Sequence, residues 1–130
     1  MNRKDKEKAD SKQIYKLILS KYAAYIVLLA VILNIKYLNW NITKETDRVQ
    51  NTNYSQNSDL SQIPKVSNKL YLISAIIIVI ILYDTYKNVL NWYNKGETSL
   101  NEVNTAEGNL QAIMLVLVAT TISYYVLNSE

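Results

Sequence analysis

Asp84 has the most unusual position of any ionisable residue in this chain. It closes an apolar run, LYLISAIIIVIILYD, and Lys87 follows three residues later. A carboxylate inside a membrane is costly and often marks an ion or proton path. At the membrane edge the same group stays hydrated and pairs with a lysine one helical turn away. The spacing favours the second chemistry, so Asp84 and Lys87 are expected to form a membrane-edge charge pair.

Away from the ends of the apolar runs stand five neutral polar residues of the Asn, Ser and Thr type: Asn34, Ser74, Thr120, Thr121 and Ser123. They could line a hydrophilic path. The stronger expectation is hydrogen bonding between helices, worth about 0.6–2 kcal/mol per contact. Hydroxyls can also bond back to their own helix. Ala119 with Ser123, and Ser20 with Ala24, form small-xxx-small pairs that permit close helix approach. Ser20 and Lys21 supply the groups of a Ser–Lys dyad, but adjacent helical residues point in different directions.

The chain contains neither histidine nor cysteine. It therefore has no imidazole or thiolate for a metal site or for nucleophilic attack, and no disulfide. No P-loop, GxGxxG, GxSxG or HExxH pattern occurs. The expectation is a non-enzymatic protein, with no catalytic residue, cofactor, metal or small-molecule substrate.

The elements that must position these residues are three apolar stretches, over 22–40, 70–84 and 110–127. Each is about the length a helix needs to cross roughly 30 Å of hydrocarbon at 1.5 Å per residue. The predicted fold is an all-α integral membrane protein: a single 130-residue domain with transmembrane spans 22–40, 70–86 and 110–127. Aromatic residues mark the span ends, as rings with one wet edge should: Tyr22 and Trp40, Tyr71 and Tyr83, Tyr124 and Tyr125. The abundance of Asn, Ile, Lys and Tyr matches AT-rich codons and suggests a bacterial or viral source. It is a coding bias and carries no function.

Between the spans, residues 1–11 read as a flexible basic N-terminus, followed by a first helix over 12–42. Residues 43–66 read as a polar loop, loosely ordered over TKETDRVQNTNYSQNSD. Ser67-Asn68, just after Pro64, are the expected N-cap of a second helix over 67–95. Gly96 is a natural C-cap, and Ser99 through Glu102 read as a capping box opening a third helix over 99–128. Helices 2 and 3 should form a long antiparallel hairpin. Its turn would stand roughly 15 Å or more beyond the membrane.

Orientation follows from the basic residues. With the N-terminus inside, eight Lys and Arg, six in residues 1–16 and two in 85–109, fall on the inner side against four in residues 41–69. The positive-inside rule then places the protein in the cell membrane with the N-terminus cytoplasmic and the C-terminus outside. The basic leader, long apolar run and lack of a small-x-small cleavage site read as an uncleaved signal anchor. The N-terminal lysines could also attract anionic headgroups at about 1 kcal/mol each, weakened by Asp5, Glu7 and Asp10. Nothing in the chain supports nucleic-acid binding.

The expected partners are the lipid bilayer and either a second copy or another membrane protein. The leading functional reading is a subunit or regulator of a membrane assembly acting through helix–helix contacts. In architecture alone the chain also resembles phage holins, which are pore formers, although the long first loop and the lack of a basic tail count against this. A bacteriocin-immunity-like membrane protein is the third reading.

Overall fold

The computed structural model describes residues 2–129. Three α-helices follow in order: α1 (Arg3–Gln50), α2 (Ile63–Asn94) and α3 (Leu100–Asn128). A short 3-10 turn (Tyr54–Asn57) lies between α1 and α2. No strand occurs among the described residues. All three helices are long and apolar enough to cross a membrane.

α1 is longer than the sequence predicts at both ends. The supposedly flexible 1–11 segment is helical from Arg3. The Asn2 side chain caps it by accepting from the Asp5 N–H at 2.9 Å. Arg3 and Glu7 pair across one turn at 3.1 Å. At the other end the helix continues through Gln50, so the loop expected over 43–66 shrinks to the segment between α1 and α2. Asn51, at φ +55°, ends α1, and the Thr52 N–H reaches back to the Asp47 carbonyl at 3.0 Å. This is a left-handed helix stop made with asparagine in place of glycine.

α2 also starts earlier than expected. Proline in the first turn lacks only an N–H that would have had no helical partner. The helix therefore begins at Ile63, and Ser67 and Asn68 become buried interior positions instead of caps. The α2–α3 turn follows the prediction closely. Gly96 takes φ +75°, with Glu97 N–H donating to the Trp92 carbonyl at 2.8 Å and Gly96 N–H to that of Tyr93 at 3.0 Å. Ser99 Oγ accepts from the Glu102 N–H at 3.3 Å. The Glu102 carboxylate takes its bond from the Thr98 hydroxyl rather than from the Ser99 backbone.

α2 lies in the middle of the molecule. It packs against α1 on one side and α3 on the other, and the backbones of α1 and α3 do not meet. The burial pattern of each helix reflects this. Along α3, Val103, Ala106, Leu110, Ile113 and Leu117 form one narrow buried or half-buried seam at alternating spacings of three and four. α2 instead buries adjacent pairs seven residues apart, Ser67 with Asn68 and Ser74 with Ala75. One stripe serves each neighbour. Ser74 meets Ala23 of α1, whereas Val89 clusters with Val103 and Ala106 of α3.

Apart from Ile81, Val89 and Val103, what is buried is small or polar. Ala30 is 0% exposed, and Ala23, Ser67, Ser74 and Ala75 are nearly as enclosed. Large apolar side chains point outward instead, among them Leu115, Ile80, Ile122 and Val118. Soluble proteins arrange these classes the other way round.

Candidate functional site

The polar residues within and beside the apolar segments fall into three groups. The first joins α1 to α2. Lys16 Nζ lies 2.7 Å from Asp84 Oδ2 and donates to Thr85 Oγ1 at 3.3 Å. The Thr85 hydroxyl donates in turn to the Ile81 carbonyl at 3.0 Å, and Asn88 Nδ2 donates to Asp84 at 3.4 Å. The expected Asp84–Lys87 pair does not form. Lys87 Nζ sits 5.6 Å from the Tyr83 ring centroid. Lys16 wins the carboxylate because the packing of α1 on α2 encloses its side chain to 14% exposure. A lysine held there requires a counter-charge, while exposed Lys87 does not.

The same interface contains the two true interhelical contacts among the five residues singled out from sequence. Ser74 Oγ donates to the Ala23 carbonyl at 3.0 Å. Asn34 Nδ2 donates to the Tyr71 hydroxyl at 3.4 Å, at the long end of hydrogen-bonding distance. Thr120 and Thr121 instead bond their own helix, donating to Val116 and Leu117 carbonyls at 2.7 Å each.

The second feature is an open groove of about 510 Å³ over α2, left because α1 and α3 do not meet. Thr120, Ser123 and Ala119 line it from α3, Val27 from α1, and Asn68, Tyr71 and Ser74 from α2. Asn68 is 9% exposed, and its Oδ1 has no hydrogen-bond partner. A buried amide oxygen without a donor is costly, so the groove floor offers an unused acceptor.

The third is a knot at the C-terminal end of α1, absent from the sequence reading. Asp47 Oδ2 accepts from Ser55 Oγ at 2.5 Å and from Ser55 N–H at 2.8 Å. Its Oδ1 accepts from Thr52 Oγ1 at 2.5 Å and from Tyr54 N–H at 3.2 Å. Trp40 Nε1 donates to the Ser55 carbonyl at 3.1 Å, and Lys44 covers the Trp40 ring at 4.4 Å. The segment TKETDRVQNTNYSQNSD is thus tied down. An acidic residue at a helix C-terminus opposes the dipole; with Thr and Ser following closely, that misfit was the available signal for this knot.

The hydroxyl of Ser55, then that of Thr52 and the Ser55 N–H, lower the Asp47 pKa from 3.8 to about 2. A carboxylate depressed on folding contributes stability above its unfolded pKa and loses it as pH falls through its folded value. The knot is therefore expected to be intact at pH 5 and above and to open between about pH 4 and 2. Asp47→Ala should abolish amide-exchange protection at Tyr54 and Ser55 at neutral pH, leaving α2 and α3 protected. Unchanged protection in that variant would refute the role given to Asp47.

No group of three or more acidic side chains converges among the described residues, so none can be assigned to a metal. Fold and contacts together define an all-helical chain with three helices long and apolar enough to span a membrane, arranged as an open layer around α2. Comparison with models of known families, with curated proteins and with solved structures finds no match.

Proposed function

We propose that this chain is a small non-enzymatic integral membrane protein that works by docking a partner's transmembrane helix, as a subunit or regulator of a membrane assembly. The observation that carries this reading is the inverted packing. Small and polar residues hold α1 to α2, a narrow Val–Ala seam joins α2 to α3, and most of the large apolar side chains face outward. In a bilayer, helices associate through close approach and hydrogen bonds, and lipid chains accept the outward apolar surface.

The groove over α2 supplies the docking surface. Ala119 and Ser123 provide small residues on its wall, and Asn68 offers an unpaired acceptor. A partner helix bearing a hydroxyl or amide donor would complete both. In this reading the N-terminus is cytoplasmic, the α2–α3 turn extends into the cytoplasm, and the Asp47 knot lies on the outer surface.

The chain lacks cysteine, so single-cysteine experiments are clean. Asn53→Cys in intact cells is expected to react with an impermeant maleimide; reaction only after lysis would invert the topology. Ala119→Cys in native membranes is expected to crosslink to a neighbouring protein, while Leu115→Cys on the outward face is not. A product of twice the chain mass would identify a second copy as the partner. Equal crosslinking at both positions, or none at either, would defeat the docking proposal.

A further inference from the structure

A second groove, of about 340 Å³, opens where the N-terminal leg of α1 runs beside the C-terminal leg of α2. Lys8, Lys12 and Lys16 enter it from α1, spaced four apart, and Thr85, Asn88 and Trp92 face them from α2. Four-residue spacing brings the three lysines to one helix face. Lys16 is matched by Asp84 at 2.7 Å. Lys8 and Lys12 have no carboxylate within ion-pair distance among the described residues. Asp5 lines the far end of the groove and offsets part of this charge.

We propose that this groove binds one phosphate-bearing anion, supplied either by an anionic lipid headgroup or as free phosphate. Lys8 and Lys12 would provide the charge, and Asn88 and Trp92 would be the neutral N–H donors beside them. Two like charges directed into one concavity repel each other, and an anion between them removes that cost. The depth of the groove favours the lipid. Ile14, Tyr15, Leu17 and Ile18 are 45–62% exposed just beyond the lysines. If α1 spans the membrane as proposed above, and the immersed part runs past Tyr22 to include these exposed side chains, the bilayer surface reaches the level of Lys12 and Lys16. Lys12 then lies about 3 Å past Ile14 along the helix, within a headgroup layer roughly 7 Å deep, and Lys8 about 9 Å past it, just beyond that layer and within reach of it by its long side chain. Half-exposed Trp92 suits the same boundary.

The test is native mass spectrometry of the full chain in nonionic detergent with phosphatidylglycerol and phosphatidylcholine supplied equally. One retained phosphatidylglycerol per chain is expected. Lys8→Gln with Lys12→Gln should weaken retention roughly thirty-fold, at about fivefold per lysine. Lys4→Gln with Lys6→Gln removes the same charge from the same leg outside the groove, and should change retention by less than about twofold. Asp5→Asn should strengthen it. Displacement of the lipid by inorganic phosphate would assign the site to free phosphate, and persistence would assign it to lipid. Equal retention of the two lipids, or equal loss in both double variants, would overturn the proposal. Resistance of the chain to carbonate extraction from membranes tests the membrane reading separately.

Discussion

Ala30→Leu is expected to push α1 away from α2 and to lower the unfolding midpoint of the detergent-solubilised protein by on the order of 10 °C. Ala30 is completely enclosed, and Ala23, one heptad earlier, is 1% exposed with its carbonyl bonded to Ser74. An added isobutyl group has no space at that contact. Overpacking a tight interface costs about 1–3 kcal/mol, and here the small residues are themselves the means of association. Val31→Leu, on the exposed side of the same turn, supplies the control, since Val31 is 39% exposed. It should leave the midpoint unchanged. Equal midpoints for Ala30→Leu and the wild-type chain would mean that α1 does not pack on α2 through this stripe.

The second large effect is expected at the charge pair. Asp84→Ala leaves Lys16 enclosed without its counter-charge. Removing one partner of a fully buried pair costs roughly 3–5 kcal/mol, and an exposed pair contributes less than about 1 kcal/mol. Lys16 is 14% exposed and Asp84 41%, so the cost should fall between these limits, at about 2 kcal/mol. Lys16→Met combined with Asp84→Ala should recover most of the loss, because no charge is then stranded. Lys87→Ala should be nearly silent. Thermal unfolding followed by circular dichroism distinguishes these outcomes. A larger loss for Lys87→Ala than for Lys16→Met would restore the local pairing that the spacing suggests.

These two sites show what can be read along a chain. Helix positions and the α2–α3 turn were legible because their signals are local: apolar runs, a glycine at a left-handed position, a serine three residues before a glutamate. Asp84 was legible as an ionisable residue at an apolar edge. Its partner was not, because Lys16 is 68 residues away in sequence and reaches it only after α1 packs on α2. The polar residues behaved alike. Thr120 and Ser74 look equivalent in sequence, yet one bonds its own helix and the other bonds α1. The loop was misread for a related reason. A polar composition reports the lack of an apolar core, and the Asp47 knot is held by hydrogen bonds instead.

By itself the sequence determined an all-helical chain with three apolar segments of membrane-crossing length and a capped turn between the last two. Those properties depend on period, length and cap chemistry, which act within a few residues. The tertiary structure alone decided that α2 takes the central position, that α1 and α3 stay apart, and that Lys16 rather than Lys87 holds Asp84. Such outcomes depend on which small residues allow two backbones to approach. That is a property of paired helix surfaces, and no single segment contains it.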